Sequence, residues 1–247
     1  MFQKVKGVAD NFFDMPYWSG VIKKIEAHLQ CYNFSHINVP ILEHVSLFER
    51  GLGFQTDVVS KQMFVMQSKN VEHDQKDDAI CLRPEATAGT MRAFLENQSN
   101  IPLRARVYCY GQMFRYERPQ KGRLREFHQF NFEMIGGESI LYDAHNIKML
   151  QTLFSNILNV QNFVLKINFL GQLQDRKNFT TAFVAFLQPK KDALCDVCNV
   201  RLLSNPLRIL DCKSTECQSV FAQAPKLSDF FSKETNHEWK TLQETLQ

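Results

Sequence analysis

The chain has 247 residues, which suits one large domain or two smaller ones. A hydrophobic fraction of 44% and 21 Phe against 10 Gly and 8 Pro exclude an intrinsically disordered protein. The sequence has no run of about 18 apolar residues and no apolar core of a secretory signal, so we expect no membrane partner. Because its seven Cys form no obvious disulfide framework, we expect a reduced, cytoplasmic protein.

Basic residues are concentrated in one stretch, although the net charge is only +3. Residues 104–125 contain six Arg and one Lys against a single acid, Glu117. Such a cluster is suited to holding a polyanion, and a solvated basic surface would give the same composition. The charge pattern therefore leaves both interpretations open.

Hydrophobic periodicity and turn residues predict a mixture of helices and strands. A first helix should begin at Asp14 and Pro16 and end near Asn33. The later predicted elements, in chain order, are a strand at 36–39, strands at 61–67 and 79–83 around a charged turn at 70–78, a helix at 87–98, a hairpin of strands 106–117 and 127–136, a helix at 139–158 and a strand at 163–169.

The sequence changes character near Gly171, where strand patterns stop and helical patterns begin. Four of the seven Cys also lie beyond this point. We therefore predict one domain over residues 1–170 and a second, mostly helical domain over residues 171–247.

The predicted hairpin has one apolar face and one polar face. With side chains alternating, Gln129 and Glu133 lie on the polar face of the second strand, and Arg115 and Glu117 lie on one face of the first. A solvated face explains this alternation about as well as a ligand site does. The basic loop at 118–126 favours a site for phosphates, since Arg binds phosphate through two parallel hydrogen bonds.

Three segments in order resemble the class II aminoacyl-tRNA synthetases. FRYERPQKGRLREFHQFNFEMIGG (114–137) resembles their motif 2, INVPILEHVSLFERGLG (37–53) resembles motif 1, and LRPEATAG (82–89) resembles the segment between them. Within motif 2, the sequence ERPQKGR followed by REFHQ is similar to that of histidine–tRNA ligases. The resemblance continues through FVLKINFLGQLQDR and NPLRILDCK and so covers nearly the whole chain.

This resemblance implies an α+β fold. An incomplete class II synthetase antiparallel sheet would be flanked by helices and followed by a small, mostly helical inserted domain on the tRNA-acceptor side. It implies that ATP, with Mg²⁺, activates L-histidine to histidyl-adenylate, and that the histidyl group then passes to tRNA(His). It also implies a homodimer formed through motif 1.

Residue roles follow from the same resemblance. Arg115 would be catalytic, contacting the ATP α-phosphate and the histidine carboxylate. Phe127 would stack on adenine, and Glu117 would lie near the adenine and the metal-bound phosphates. Glu85 and Thr87 would hold the α-amino group, although an acid at a helix N-terminus is the simpler explanation of Glu85.

The other residues to which the resemblance gives a role lie in the amino-acid pocket or beside the tRNA acceptor end. Gln129 and Glu133 would complete the histidine pocket, where a carboxylate suits an imidazole N–H. The side chains expected to reach the phosphates or the tRNA acceptor end are Arg118, Gln120, Lys121, Arg123 and Arg125.

The sequence also departs from the family pattern. Ala86 replaces a Gly, Phe130, Asn131 and Phe132 replace small residues, and Lys6 replaces an Arg. Neither motif 3 nor a C-terminal anticodon-binding domain is found. We therefore expect an inactive or weakly active fragment, in which Arg115 carries charge that the family shares among several cations.

Four cysteines have a spacing that suits zinc. Cys195 and Cys198 are separated by two residues, and Cys212 and Cys217 by four. Small buried thiols are the competing explanation. For Cys31, Cys81 and Cys109, which fall in predicted helix or strand, we expect core positions.

Two functions compete with the ligase. A non-catalytic regulatory subunit of histidine biosynthesis would keep a histidine pocket without needing the ATP or tRNA loop. A plain nucleic-acid-binding module would use only the basic loop and would not explain Gln129 and Glu133 beside Arg115. The ligase hypothesis requires the side chains of Arg115 and Glu133 to lie on the same side of the sheet.

Overall fold

The computed structural model describes residues 2–53, 56–66, 79–102 and 104–247, so the turn predicted at 70–78 lies outside the described residues. The chain divides into a first unit of Met1–Tyr142 with Met149–Gln161 and a second unit of Asp143–Lys148 with Asn162–Gln247. The domain boundary between residues 170 and 171 stays a prediction. Among the described helices, none has both the length and the apolar character needed to cross a bilayer.

The chain alternates helices and short strands before it becomes helical. Its principal elements, in order, are α1 (Met15–Cys31), β1 (Ser35–His36), β2 (Leu42–His44), α2 (Val45–Leu52), β3 (Phe64–Val65), β4 (Ile80–Leu82), α3 (Thr87–Glu96), β5 (Ala105–Phe114), β6 (Glu126–Ile135), α4 (Ile140–Thr152), α5 (Leu173–Leu187), α6 (Asp196–Ser204), α7 (Thr215–Phe221) and α8 (Lys233–Leu246).

The strands of the described residues form two three-stranded sheets. In one, β5 and β6 make a long antiparallel hairpin, and β1 adds to β5 in parallel. In the other, β4 lies between β2 and β3, and both pairs are antiparallel. The predicted α+β class with antiparallel strands flanked by helices is confirmed, with β1 as a parallel addition.

The hairpin packs on both faces, and the two faces have different partners. On one face, Tyr108 and Phe130 pack with Leu29 of α1 and with Met149. On the other face, Cys109 and Met113 pack with Val39 and Ala86, and Phe127 lies against them. The second face therefore meets the segment that leads into α3, and it carries the polar side chains of the candidate site.

The first helix begins where the sequence predicts. Pro16 lies in its first turn, although the side chain of Asp14 makes no capping hydrogen bond. Cys31 at its end is exposed, so the prediction of a core position for Cys31 is wrong. Cys81 and Cys109 are buried as predicted, and burial, with Glu43 adding to the effect, raises the pKa of the Cys81 thiol to about 12.

The strand predicted at 36–39 is shorter than expected and begins earlier. Its last ladder-like bond is donated by the Ile37 N–H to the carbonyl of Tyr108, at 2.8 Å. Beyond that point the carbonyl of Val39 accepts a hydrogen bond from Nη1 of the buried Arg83, at 2.7 Å. A side chain thus replaces the neighbouring strand as the partner of this backbone.

The strand predicted at 61–67 is largely wrong. Val58–Gln62 forms a helical turn, and the strand is limited to Phe64–Val65. Thr56 explains the turn, because its carbonyl accepts from the N–H of Ser60 and its hydroxyl accepts from the N–H of Val59. Local side-chain hydrogen bonds of this kind compete with strand formation.

Other predicted boundaries also shift. The helix predicted at 87–98 ends at Glu96, the hairpin strands end at Phe114 and Ile135, and the helix predicted at 139–158 is α-helical only to Thr152. The strand predicted at 163–169 does not form in the described chain. There Phe169 stacks on Trp239 at 5.6 Å between ring centroids, so side-chain packing rather than a ladder holds it.

A buried carboxylate joins α5 to α8 in the second unit. Asp175 accepts hydrogen bonds from the backbone N–H groups of Gln172 and Ser232, both at 3.0 Å, and from the hydroxyl of Thr235 at 2.5 Å. The Thr235 hydroxyl, followed by the two backbone donors, holds the pKa of Asp175 below its ordinary value. The charged carboxylate is therefore the form that stabilises this junction.

This junction predicts an acid-sensitive second unit. Because the folded-state pKa of Asp175 is depressed, its contribution is complete above the unfolded pKa of about 3.9 and is lost as the pH falls toward the folded value. We expect Asp175→Asn to remove this part of the pH dependence of the unfolding midpoint between pH 5 and pH 3, a window set on the order of one unit around that value. Thr235→Val should reduce it, and the exposed Asp229→Asn is the control. An Asp175→Asn chain with an unchanged pH profile would contradict the assignment.

Candidate active site

The hairpin register places the predicted polar residues on one face. Opposed residues share a face, and the pairs Val107–Glu133, Gly111–Gln129 and Met113–Phe127 lie on the same one. Arg115 follows β5, and its N–H donates to the carbonyl of Arg125 at 2.9 Å, which extends the pairing past the last ladder residue. Arg115 and Glu133 therefore lie on the same side of the sheet, as the alternation predicts.

Arg115 is held between the hairpin and the segment before α3. Its Nε donates to the carbonyl of Pro84 at 2.9 Å, and its Cζ lies 5.2 Å from the ring centroid of Phe127. A guanidinium has five N–H donors, and the bond to Pro84 uses one of them. The terminal nitrogens are thus suited to a carboxylate or a phosphate that lies beside the Phe127 ring.

The residues at the start of α3 connect to the return strand through hydrogen bonds. The Glu85 carboxylate accepts from the N–H groups of Thr87 at 2.6 Å and Ala88 at 2.9 Å. The Thr87 hydroxyl donates to Asn131 Oδ1, and Asn131 Nδ2 donates to Glu133 Oε1, both at 3.2 Å. Glu85 is thus an acid that caps a helix N-terminus, which is its simpler explanation. The Glu85 carboxylate oxygens still have lone pairs that can accept from a further donor.

Two carboxylates on different elements influence one buried thiol. Burial raises the pKa of Cys109, the Arg83 cation opposes this shift, and the negative charges of Glu133 and Glu85 add to it. The hydrogen bonds from Thr87 through Asn131 to Glu133 link the same two elements directly. Glu85 and Glu133 are thus the carboxylates that this face offers to an ammonium or an imidazole N–H.

Sequence reasoning missed two residues that position the site. Arg83 lies across the hairpin, where its Nε donates to the carbonyl of Gln112 at 2.9 Å. A Cβ at Gly111 would press on the Arg83 guanidinium, so a larger residue here would have to displace that group from its hydrogen bonds. The signal was available in the sequence, since a glycine inside a strand marks the close approach of another group. Asn131, which joins Thr87 to Glu133, was noted only as a departure from the family pattern.

The basic loop is partly engaged with its own chain. Arg125 lies over the Tyr116 ring at 4.2 Å and donates through its N–H to the carbonyl of Gly7 at 2.7 Å. Gly7 has a φ of +92°, and a Cβ there would lie 2.9 Å from Arg125 and from Pro119. The N-terminal segment therefore supports the base of the loop.

The predicted loop residues do not all face the same way. Arg123 makes an ion pair with Glu117 at 3.2 Å, so the Glu117 carboxylate is engaged with the loop. Like Arg115, Glu117 follows the end of β5 at Phe114, and its place on the surface of Arg115 stays a prediction. The side chains of the tip are exposed, and they belong to Arg118, Gln120 and Lys121.

A cavity between α2 and α3 lies beside the site and is a different space. It has a volume of about 720 Å³ and is lined by α2 and α3, with Leu47, Met91 and Leu95 among its walls. Glu85 and Thr87 border it, whereas the hairpin residues of the candidate site do not. The cation of Arg115 and the carboxylate of Glu133 lie instead on the polar face of the hairpin.

The four cysteines of the second unit come together as their spacing predicts. Their sulfur atoms all lie within 4.8 Å of one another, and Cys195 Sγ is 3.9 Å from Cys212 Sγ. A hydrogen bond from the Cys198 backbone lowers the pKa of the Cys195 thiol, whereas burial raises the pKa of Cys198 and Cys217. The cluster is separate from the candidate active site and belongs to the core of the second unit.

Comparison with known proteins supports the fold first. The chain matches the crystal structure of apo histidyl-tRNA synthetase from S. aureus with a TM-score of 0.76 and 27% identity, covering 100% of this chain and 54% of that one. Its sheet, hairpin and flanking helices are those of the class II aminoacyl-tRNA synthetase fold. A protein of Bacillus halodurans, described as an ATP phosphoribosyltransferase regulatory subunit/histidyl-tRNA synthetase, matches with a TM-score of 0.64, 16% identity and 65% coverage of that chain, which shows the fold alone.

Sequence comparison identifies the family. The family profile described as Histidyl-tRNA synthetase matches residues 18–181. A histidine–tRNA ligase of Campylobacter concisus is 40% identical over 232 residues, which are 93% of this chain and 54% of that protein. The chain belongs to the histidyl-tRNA synthetase family, and it spans about half the length of the curated relatives it matches.

Proposed function

We propose that the polar face of the hairpin, with the segment before α3, binds L-histidine and ATP and takes part in forming histidyl-adenylate, with later transfer of the histidyl group to tRNA(His). The observation that carries this proposal is the placement of Arg115, between the Pro84 carbonyl and the Phe127 ring, on the face that also holds Gln129 and Glu133. This arrangement puts a cation beside an aromatic ring, on the face of the sheet that also carries acceptors for an imidazole.

The proposed reaction assigns charge stabilisation to Arg115. A carboxylate oxygen of histidine attacks the α-phosphorus of ATP, a new P–O bond forms, and pyrophosphate leaves with the electron pair of the broken bond. Negative charge grows on the α-phosphoryl oxygens as this happens, and a fixed guanidinium stabilises it without rearranging. When bound, Mg²⁺ would neutralise the phosphates further, and Glu117 is the carboxylate that we place near them.

Recognition of histidine falls to groups around the hydrogen-bonded chain from Thr87 to Glu133. Glu85 and Thr87 accept from the α-ammonium group, and Gln129 with Glu133 binds the imidazole. Asn131 keeps the Glu133 carboxylate oriented, so we assign it a positioning role. Phe127 stacks on adenine while Arg115 remains beside it.

The exposed loop residues suit an acidic macromolecule. Arg118, Gln120 and Lys121 lie at the tip, and Arg123 and Arg125 stiffen the loop through their bonds to Glu117, Tyr116 and Gly7. We propose that this loop meets the ATP phosphates or the tRNA acceptor end. A homodimer through residues 37–53 and a cytoplasmic location remain predictions.

A titration distinguishes the proposed function from its competitors. The chain is titrated calorimetrically with a non-hydrolysable histidyl-adenylate analogue, alone and in the presence of ATP or L-histidine. We expect binding that both ATP and L-histidine weaken, because the analogue occupies both halves of the site. A lysyl-adenylate analogue is the matched control and should bind more weakly, since its side chain is a cation of different shape.

Two outcomes would contradict the ligase. Competition by L-histidine without competition by ATP would favour the regulatory subunit of histidine biosynthesis. Binding of an acceptor-stem RNA hairpin, with no response to either small molecule, would favour a nucleic-acid-binding module. If the ligase assignment holds, the substitutions Gln129→Ala and Glu133→Gln should each lower the affinity for histidine more than the affinity for ATP. The same calorimetric titration measures both affinities.

A further inference from the structure

Four thiols converge in the second unit, outside the candidate active site. The sulfur atoms of the four cysteines all lie within 4.8 Å of one another, and the distance from Cys195 Sγ to Cys212 Sγ is 3.9 Å. A tetrahedral ion with Zn–S bonds of about 2.3 Å requires S–S separations of about 3.8 Å. The observed spacing thus needs only a small contraction to hold an ion, whereas a disulfide needs about 2.05 Å.

The backbone around the cluster is arranged to support thiolates. Cys195 immediately precedes α6, and Cys198 lies in its first turn, so both face the positive end of a helix dipole. The backbone N–H of Cys195 donates to Cys217 Sγ at 3.2 Å. Hydrogen bonds to ligand sulfurs are the kind of outer support that metal sites use to orient their ligands.

Two of the four thiols are fully buried and two are half-buried, a difference that core packing alone does not explain. Cys198 and Cys217 are fully buried, with Phe183, Leu187 and Ile209 in the same core. Cys195 and Cys212 are only half-buried, so one side of the cluster is open to solvent. Core packing explains a buried thiol singly, but it gives no reason for two half-buried thiols to meet two buried ones at one point.

We propose that Cys195, Cys198, Cys212 and Cys217 bind one Zn²⁺ ion as four thiolates. Zinc fits because it favours tetrahedral geometry and sulfur ligands and needs no redox partner. Four protein ligands leave no open coordination position, so the ion is structural. It ties the start of α6 to the following turn at Pro206–Asp211 and to α7.

Metal content tests the proposal directly. The full chain is purified without chelator and analysed by elemental mass spectrometry, and we expect zinc in a one-to-one ratio. Cys212→Ser should lose the ion while leaving the core packing intact, because Cys212 is half-buried. Cys31→Ser is the matched control, since Cys31 is exposed and lies in the first unit, and it should keep its zinc.

A second measurement keeps the test independent of folding. Cobalt replaces zinc in the unsubstituted chain, and four-thiolate tetrahedral coordination should give intense visible d–d bands and a sulfur-to-cobalt charge-transfer band. Iron in place of zinc, a metal-free chain, or a disulfide between any two of the four cysteines would each overturn the proposal. Zinc retained by Cys212→Ser at the level of Cys31→Ser would overturn it as well.

Discussion

Arg115→Ala is expected to weaken binding of the histidyl-adenylate analogue by roughly 30- to 1000-fold. Removing a charged group that makes paired hydrogen bonds in a partly closed site costs about 2–4 kcal/mol, and each 1.4 kcal/mol is about tenfold in affinity. The side chain is fixed in place by its bond to the Pro84 carbonyl and by the Phe127 ring. Little ordering is therefore left to oppose its contribution when the ligand binds. Calorimetric titration of the two chains measures the difference.

Two further substitutions separate charge from geometry. Arg115→Lys keeps the charge but loses the paired donors, so it should recover only part of the affinity. Arg104→Ala removes an exposed arginine at the beginning of the hairpin and serves as the charge-matched control. If Arg104→Ala lowered the affinity as much as Arg115→Ala, the site would be a general basic surface, and the proposed role of Arg115 would be wrong.

The polar face of the hairpin could be predicted because period-two alternation is a local property. Once residues 127–133 form a strand, the faces of Gln129 and Glu133 are fixed, and the register then places Gly111 and Met113 opposite their partners. Arg115 lies beyond the last ladder residue, yet a single further backbone hydrogen bond keeps it on the predicted side. This part of the site needed no information about distant elements.

Contacts between distant segments could not be predicted in the same way. The carbonyl of Val39 accepts from Arg83, which lies 44 positions later, and this long-range bond ends the first strand. Phe169 fulfils a strand-like pattern but packs on Trp239, because the described chain offers no strand beside it. Periodicity indicates which side chains are buried, but it does not indicate which residues pack against them.

The cysteine cluster shows the same division between pattern and geometry. Its spacing indicated a metal site but was also compatible with separate buried thiols. What favours the metal site is the convergence of the turn at Pro206–Asp211 with α6 and α7, which brings four sulfur atoms within 4.8 Å of one another. Sequence separation alone could not establish that convergence, because the second pair has wider spacing than a usual zinc knuckle.

The ion pair of Glu43 and Arg92 leads to the second large expected effect, on stability. Arg92 Nη2 lies 2.6 Å from Glu43 Oε1, and its Nε donates to both carboxylate oxygens at 3.0 and 3.2 Å. The Glu43 side chain is only 5% exposed, whereas that of Arg92 is 26% exposed and also reaches Glu96. Glu43 belongs to β2 and Arg92 to α3, so the pair ties the second sheet to the helix that begins beside the site.

Arg92→Met should lower the free energy of unfolding of the first unit by about 3–5 kcal/mol, because it leaves a buried carboxylate without its cation. Glu43→Gln should cost less, since the remaining guanidinium still contacts Glu96 and water. The double variant should recover part of the loss, as removing both charges avoids the uncompensated one. Urea unfolding followed by Trp18 fluorescence in a Trp239→Phe background reports the first unit alone. Glu96→Gln is the control for an exposed ion pair and should change the free energy of unfolding by less than about 1 kcal/mol. If Arg92→Met had an equally small effect, the buried pair would stabilise the fold no more than a surface pair does.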